Sequence, residues 1–159
     1  MKSEQILERT QRTIATNRRA GHDFEIIQRI EAGVILQGTE VKSLRAGRCS
    51  LQDAYAGFLR YDDFELYIFN LHINPYDHGN RENHEPKRPR KLLVHAREAF
   101  KLKAAIQEKG MTVIPLSIYF SGHLVKIELG IARSKRKYDK RETTKKKEFE
   151  REVQRKFKY

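Results

Sequence analysis

The chain has one cysteine, Cys49, among 159 residues. No internal disulfide can form, and with no secretory signal at the start of the sequence a reducing, cytoplasmic setting is expected. No apolar run approaches the roughly 20 residues that span a bilayer. The longest candidate, Val113 to Phe120, is interrupted by Pro115 and Ser117. Apolar residues are themselves scarce, at 38% with a mean hydropathy of −0.76. That scarcity fits one compact domain diluted by polar ends rather than two cores.

The signatures of catalysis are also missing. There is no glycine-rich phosphate loop and no serine-centred nucleophile elbow. His72, His78 and His84 recur every six residues, a spacing that suits neither a helix face nor the short-spaced pairs of zinc sites. These histidines are expected to be solvated loop residues. Asp62-Asp63 lies between two strand-like runs and reads as a hairpin turn rather than a pair of catalytic carboxylates. No enzyme, metal or cofactor is expected.

Acidic charge is the other deficit. The net charge is +12, and residues 133–159 carry 13 basic and 5 acidic side chains, so that segment alone supplies +8. A cationic arm of this kind seeks a polyanion, and RNA is the first candidate. Tyr138 within Arg133 to Arg141 adds a ring that could stack on an unpaired base while its neighbours neutralise phosphates. Phe149, Val153 and Phe157 follow at i, i+4 and i+8, a narrow stripe that would order on a partner rather than alone in water. Three apolar residues are too few for strong membrane insertion.

The organisation reads as a flexible arm over residues 1–16, a body over 17–132 and a basic tail over 133–159. Apolar residues alternate at Phe24, Ile26 and Ile30, then resume at Val34 after a break at Ala32-Gly33, which predicts two short strands. Thr39 is a plausible N-cap and Gly47 a plausible stop for a short helix. Ala54 to Phe69 reads as a hairpin, 74–90 as a long polar loop, and 96–109 as a helix burying Phe100, Ala104 and Ile106. The clearest signal is the last hairpin. Ile114, Leu116, Ile118 and Phe120 alternate, Ser121-Gly122 turn, and Val125, Ile127, Leu129 and Ile131 alternate again. The fold class is therefore mainly β: an OB-type, six-stranded antiparallel barrel with two to three short helices and a basic, flexible C-terminal tail.

Basic groups flank this body: Asn17-Arg18-Arg19 before the first strand, Lys42 and Arg45 at i, i+3, and Arg88 to Lys91 at the end of the long loop. Arg90 and Lys91 belong to the last group. Together they would track phosphates and set affinity rather than sequence. Glu31 could accept from a base amine, which cations cannot do. Glu40 could instead complement a helix dipole.

Several ordered blocks resemble the SsrA-binding protein family, also called small protein B. They are Thr13-Ile14-Ala15, Asn17-Arg18-Arg19-Ala20, Glu31-Ala32-Gly33, Leu36 to Gly47, Arg90-Lys91-Leu92-Leu93, Leu129 to Ala132 and Tyr138-Asp139-Lys140-Arg141. The resemblance implies a protein that binds the tRNA-like domain of transfer-messenger RNA. It further implies delivery to stalled ribosomes with elongation factor Tu, the tail entering the decoding centre and the empty mRNA channel and becoming helical there. By position, Asn17, Glu31 and Leu93 would belong to the RNA-binding body, where Glu40 is a further candidate. Lys135, Arg136, Lys137, Tyr138, Asp139, Lys140 and Arg141 would belong to the decoding segment. The sequence departs from the family pattern at Ser134, where glycine followed by two lysines is usual. Charge is kept by Lys135-Arg136, and glycine's backbone freedom is lost. A constitutive ribosomal protein, or another OB-type RNA binder, is the alternative reading of the same charge.

Overall fold

The computed structural model describes residues 11–108, 110–135 and 137–156, with backbone alone at 80 and 137–140. Its first half runs β1 (Gln11–Thr16), α1 (Ala20–Asp23), β2 (Phe24–Val34), α2 (Gly38–Arg45), β3 (Cys49–Ser50), β4 (Tyr55–Phe58), β5 (Leu66–Phe69) and β6 (His72–Ile73). A 3-10 turn (Asn80–Glu82) leads to β7 (Arg90–Leu93), α3 (Ala96–Gln107), β8 (Met111–Ser121), β9 (Leu124–Ser134) and α4 (Lys137–Lys156).

The alternating stretch at the end of the body forms β8 and β9, paired from Met111↔Arg133 to Ser121↔Leu124. Their turn is Gly122-His123, one residue later than the sequence suggests. Gly122 has φ +60°, which fits the first position of a tight hairpin turn whose twist matches the strands. Antiparallel pairing runs β8-β4-β5-β7-β2-β9 and returns to β8, closing a ring of six strands. This is the barrel expected from the sequence. Ile30, Ile68, Val113, Ile118, Ile127 and Leu129 fill it, joined by Leu44 from α2 and Leu102 from α3.

Two irregularities in this ring carry weight. Register shifts fall between Ile26 and Gln28 in β2 and between Pro115 and Ser117 in β8. A bulge reverses which face later side chains take. Ile118 and Phe120 therefore enter the barrel, while Ile114 and Leu116 pack outside it. With Ala20 and Ala132 they form a second small core, against which Phe24 and Ile26 rest. That core seats α1 on the barrel wall.

Several expectations need correction. Residues 11–16 are not part of a flexible arm: they form β1, registered on β8 from Gln11↔Ser121 to Thr16↔Ser117. Backbone pairing along an edge of β8 orders them; residues 1–10 lie outside the described residues. The break at Ala32-Gly33 is absent, because β2 runs through it with both residues paired to β9. Thr39 does not cap α2; the N-cap position is Gln37 and no side chain caps it. Gly47, at φ +72°, does follow the helix end, in a conformation that favours glycine. Helix α3 buries Ala99 and Leu102, while Phe100 is exposed and packs on Phe64.

The polar stretch 74–90 is ordered rather than solvated. Asn83 bonds the backbone of Tyr76 through both side-chain atoms, at 2.7 and 3.0 Å. His84 is buried, donating from Nε2 to the Ile73 carbonyl at 2.9 Å and accepting at Nδ1 from the Thr39 hydroxyl at 2.9 Å. A backbone carbonyl can only accept, which fixes this tautomer in the neutral ring. Ser134, in place of the family glycine, ends β9 paired with Phe24, in extended backbone that needs no glycine.

Candidate nucleic-acid interface

Alternation along β2, β9 and β8 sends one set of side chains into the barrel and a second set outward. Outward from β2 and β9 stand Arg29, Glu31, Lys126 and Glu128; Tyr119 joins them from β8. Glu31 and Glu128 are directly opposite, a like-charge pair that costs stability unless compensated. Compensation is present. Arg29 donates to Glu128 at 2.6 Å and Lys126 Nζ donates to Glu31 at 2.8 Å. The Tyr119 hydroxyl donates to the other Glu31 oxygen. The Lys126 hydrogen bond, and then that of Tyr119, hold the Glu31 carboxyl below its ordinary range. Burial, followed by the hydrogen bond to Glu31, raises the Tyr119 phenol. At neutral pH the surface therefore presents a carboxylate with spare lone pairs beside a cation.

An apolar neighbour completes this face. Leu93 pairs with Gly33 across β7 and β2 and is 53% exposed, unusual for a leucine placed by a strand. Glu31, Gly33, Leu93, Val94, His95 and Lys126 line a shallow groove of about 250 Å³. An acceptor, a cation, an imidazole and an apolar side chain around one groove suit an unstacked base and its phosphate better than a duplex groove. Glu31 and Leu93, separated by 62 positions, are brought together here. Lys126, Tyr119 and His95 escaped the sequence reading. The polar phase of β9 at Lys126 and Glu128 was a usable signal, whereas nothing marked Tyr119.

Asn17 lies on a different strand. Its amide nitrogen Nδ2 donates to the Pro115 carbonyl at 3.0 Å and its backbone N–H to Leu116 at 2.8 Å. It thus fastens the end of β1 to the bulge of β8 and presents Arg18 and Arg19, both exposed. On α2, Lys42 and Arg45 are exposed; Lys42 Nζ sits 5.2 Å from the Tyr76 ring centroid, and Arg45 gives its carbonyl to Arg12 at 3.1 Å. Arg12, Arg45 and His123 line a further cleft of about 390 Å³ over Phe120. Lys91 is half-buried and pairs with Glu65 at 3.6 Å.

Glu40 and Arg90, candidates for the RNA-binding surface, are instead buried. Both side chains are 0% exposed, joined by an ion pair of 2.8 Å. Arg88 donates to the second Glu40 oxygen, and Arg90 also reaches the carbonyls of Leu71 and, at 3.0 Å, Pro86. Burial pulls the Arg90 guanidinium down and the bond to Glu40 opposes it. This network pins α2 and the 74–90 segment together. Through α2 it fixes the placement of Lys42 and Arg45.

Residues 137–156 form α4, on which Arg141 and Phe149 are exposed (Phe149 to 67%) and Val153 is half-buried. Side chains 137–140, which include Tyr138, Asp139 and Lys140, and the whole of Arg136 and Phe157 lie outside the described residues. Among the described residues no helix is long and apolar enough to cross a membrane.

Comparison with known proteins gives one consistent result. A family model described as SmpB protein matches residues 14–159. An SsrA-binding protein of Carboxydothermus hydrogenoformans is 51% identical over 144 residues, covering 91% of this chain and 95% of that protein. One from Geobacter metallireducens is 52% identical over 143 residues, with 90% and 92% covered. A solved chain described as "tmRNA-SmpB: a journey to the center of the bacterial ribosome" superposes with a TM-score of 0.65 at 46% identity. That match covers 82% of this chain and 93% of the other.

Proposed function

This chain belongs to the SmpB protein family, and on that premise we propose that it is an RNA-binding adaptor of trans-translation. The body binds the tRNA-like domain of transfer-messenger RNA, and the protein carries that RNA to stalled ribosomes. The observation that supports this most is the face of Glu31, Tyr119 and Lys126 beside exposed Leu93. It places an oriented carboxylate, a cation and an apolar contact in one groove.

Work is divided between body and tail in this reading. The body grips a folded RNA by shape and phosphates, since A-form RNA hides its major groove from side chains. Residues 135–141 enter the small-subunit decoding centre. Phe149, Val153 and Phe157 form the seam of a helix lying in the empty mRNA channel. Exposed Phe149 supports that seam, because a large apolar side chain in water is the part of a helix that gains most from a partner. Elongation factor Tu is the expected companion during delivery.

Leu93→Asp tests the groove. The side chain is exposed, so the melting temperature should hold. Affinity for the isolated tRNA-like domain should fall about tenfold or more, the scale of losing one base contact and adding an anion beside phosphate. Gel-shift titration at physiological salt reads this directly. Unchanged affinity would remove the groove from the interface.

A further inference from the structure

Helix α4 faces solvent along most of its length, yet Thr143 and Thr144 in its second turn are half-buried. Thr144 Oγ1 lies 2.9 Å from His22 Nε2. On the other side of the same ring, His22 Nδ1 lies 2.9 Å from an Asp23 carboxylate oxygen. A carboxylate only accepts, so Nδ1 carries a proton, and the Thr144 hydroxyl, which can donate or accept, pairs with Nε2. Lys135 closes the arrangement from before the helix. Its amide donates to the Asp23 carbonyl at 3.0 Å, and its ammonium donates to the Gly21 carbonyl at 2.9 Å and to Thr143 Oγ1 at 3.0 Å.

The one-turn helix α1 thus meets the tail twice, at Lys135 and again at Thr144, while Thr143 ties the helix back to Lys135. The candidate decoding segment starts at the first anchor, Lys135, and its remainder, 136–141, runs between the two. α1 is itself fixed, because Ala20 is buried in the second core with Ile114, Leu116 and Ala132. A highly charged helix with so few apolar residues would be marginal alone in water, so these contacts hold its first turns.

We propose that His22, Lys135, Thr143 and Thr144 form a latch that presents residues 137–141 as a helical segment in one direction from the barrel. His22 is then a positioning residue for the tail. This rests on the reading of the tail given under Proposed function. Each such hydrogen bond biases an equilibrium by about twofold to tenfold. Three together favour the docked state and still let the distal tail turn to follow a channel.

Thr144→Val removes the hydroxyl at constant shape, and Thr144→Ser restores it. In the full chain, NMR order parameters of the 138–150 amides should fall below about 0.6 in Thr144→Val and recover in Thr144→Ser. His22→Ala should match Thr144→Val, and the double variant should add little to either. Tagging on stalled ribosomes should lose about threefold or more in maximal rate at unchanged RNA affinity. Unchanged order in Thr144→Val overturns the latch. Lost order with an unchanged tagging rate overturns its positioning role. Tagging by a chain lacking residues 133–159 would instead overturn the reading of the tail, while the order parameters still judge the latch.

Discussion

A chain ending at Ala132 is expected to bind the tRNA-like domain within a fewfold of the full protein at physiological salt and to support no tagging of stalled ribosomes. The physical ground is the separation of surfaces. Every residue of the Glu31–Leu93 groove belongs to β2, β7, β8, β9 or the start of the segment after β7, and none to α4. The ring of strands closes without the tail, β8 holding both β4 and β9. The removed segment supplies +8 of the +12 charge, so some affinity for any polyanion goes with it. That share is steeply salt-dependent, so the comparison is made at physiological salt. Gel-shift titration and a reconstituted tagging assay, run side by side, check both halves. Loss of specific RNA binding would place RNA contacts in the tail and end the division of labour.

Glu40→Ala should be the most damaging single substitution in stability. It leaves Arg90 without its carboxylate at a site where neither side chain has exposed surface. Breaking a buried ion pair on one side typically costs about 3–5 kcal/mol, or on the order of 10 °C in melting temperature for a chain of this size. Arg88 loses the same partner, and the tie between α2 and residues 71–90 goes with it. Lys42 and Arg45 would then be less well placed, so RNA affinity should weaken although the Glu40 side chain is buried. Thermal denaturation followed by circular dichroism measures the first effect. A loss of less than about 1 kcal/mol would mean that water reaches the pair.

The parts of the fold that local pattern controls could be read before the structure. Residues 114–131 alternate because one face of a sheet is buried, and they form the expected hairpin. The six-stranded ring follows from such runs and from the family resemblance. The division of the alternating residues between two cores could not be read. Ile114, Leu116, Ile118 and Phe120 keep a strict period of two, but a bulge at Pro115–Ser117 splits them. Pro115, which cannot donate to the ladder, sits at that bulge, but the face that each later side chain takes depends on where the pairing with β9 slips. Glu40 and Arg90 misled for a similar reason. Charge in a polar stretch reads as solvated, and burial depends on a partner 50 positions away. Within the candidate site, Glu31 and Leu93 were legible through the family resemblance. Lys126 and Tyr119 became visible only when the strands were placed side by side. His22 and Thr144, 122 positions apart, carry no local signal at all.

The central claim, that the outward face of β2, β8 and β9 holds one particular structured RNA, is tested most directly by sequencing the RNA that ultraviolet crosslinking fixes to the protein in growing cells. One dominant species with a tRNA-like domain is expected, its crosslinks to the body concentrated at Leu93, His95 and Lys126. Ribosomal RNA recovered in proportion to ribosome number, without enrichment of a tRNA-like species, would contradict it.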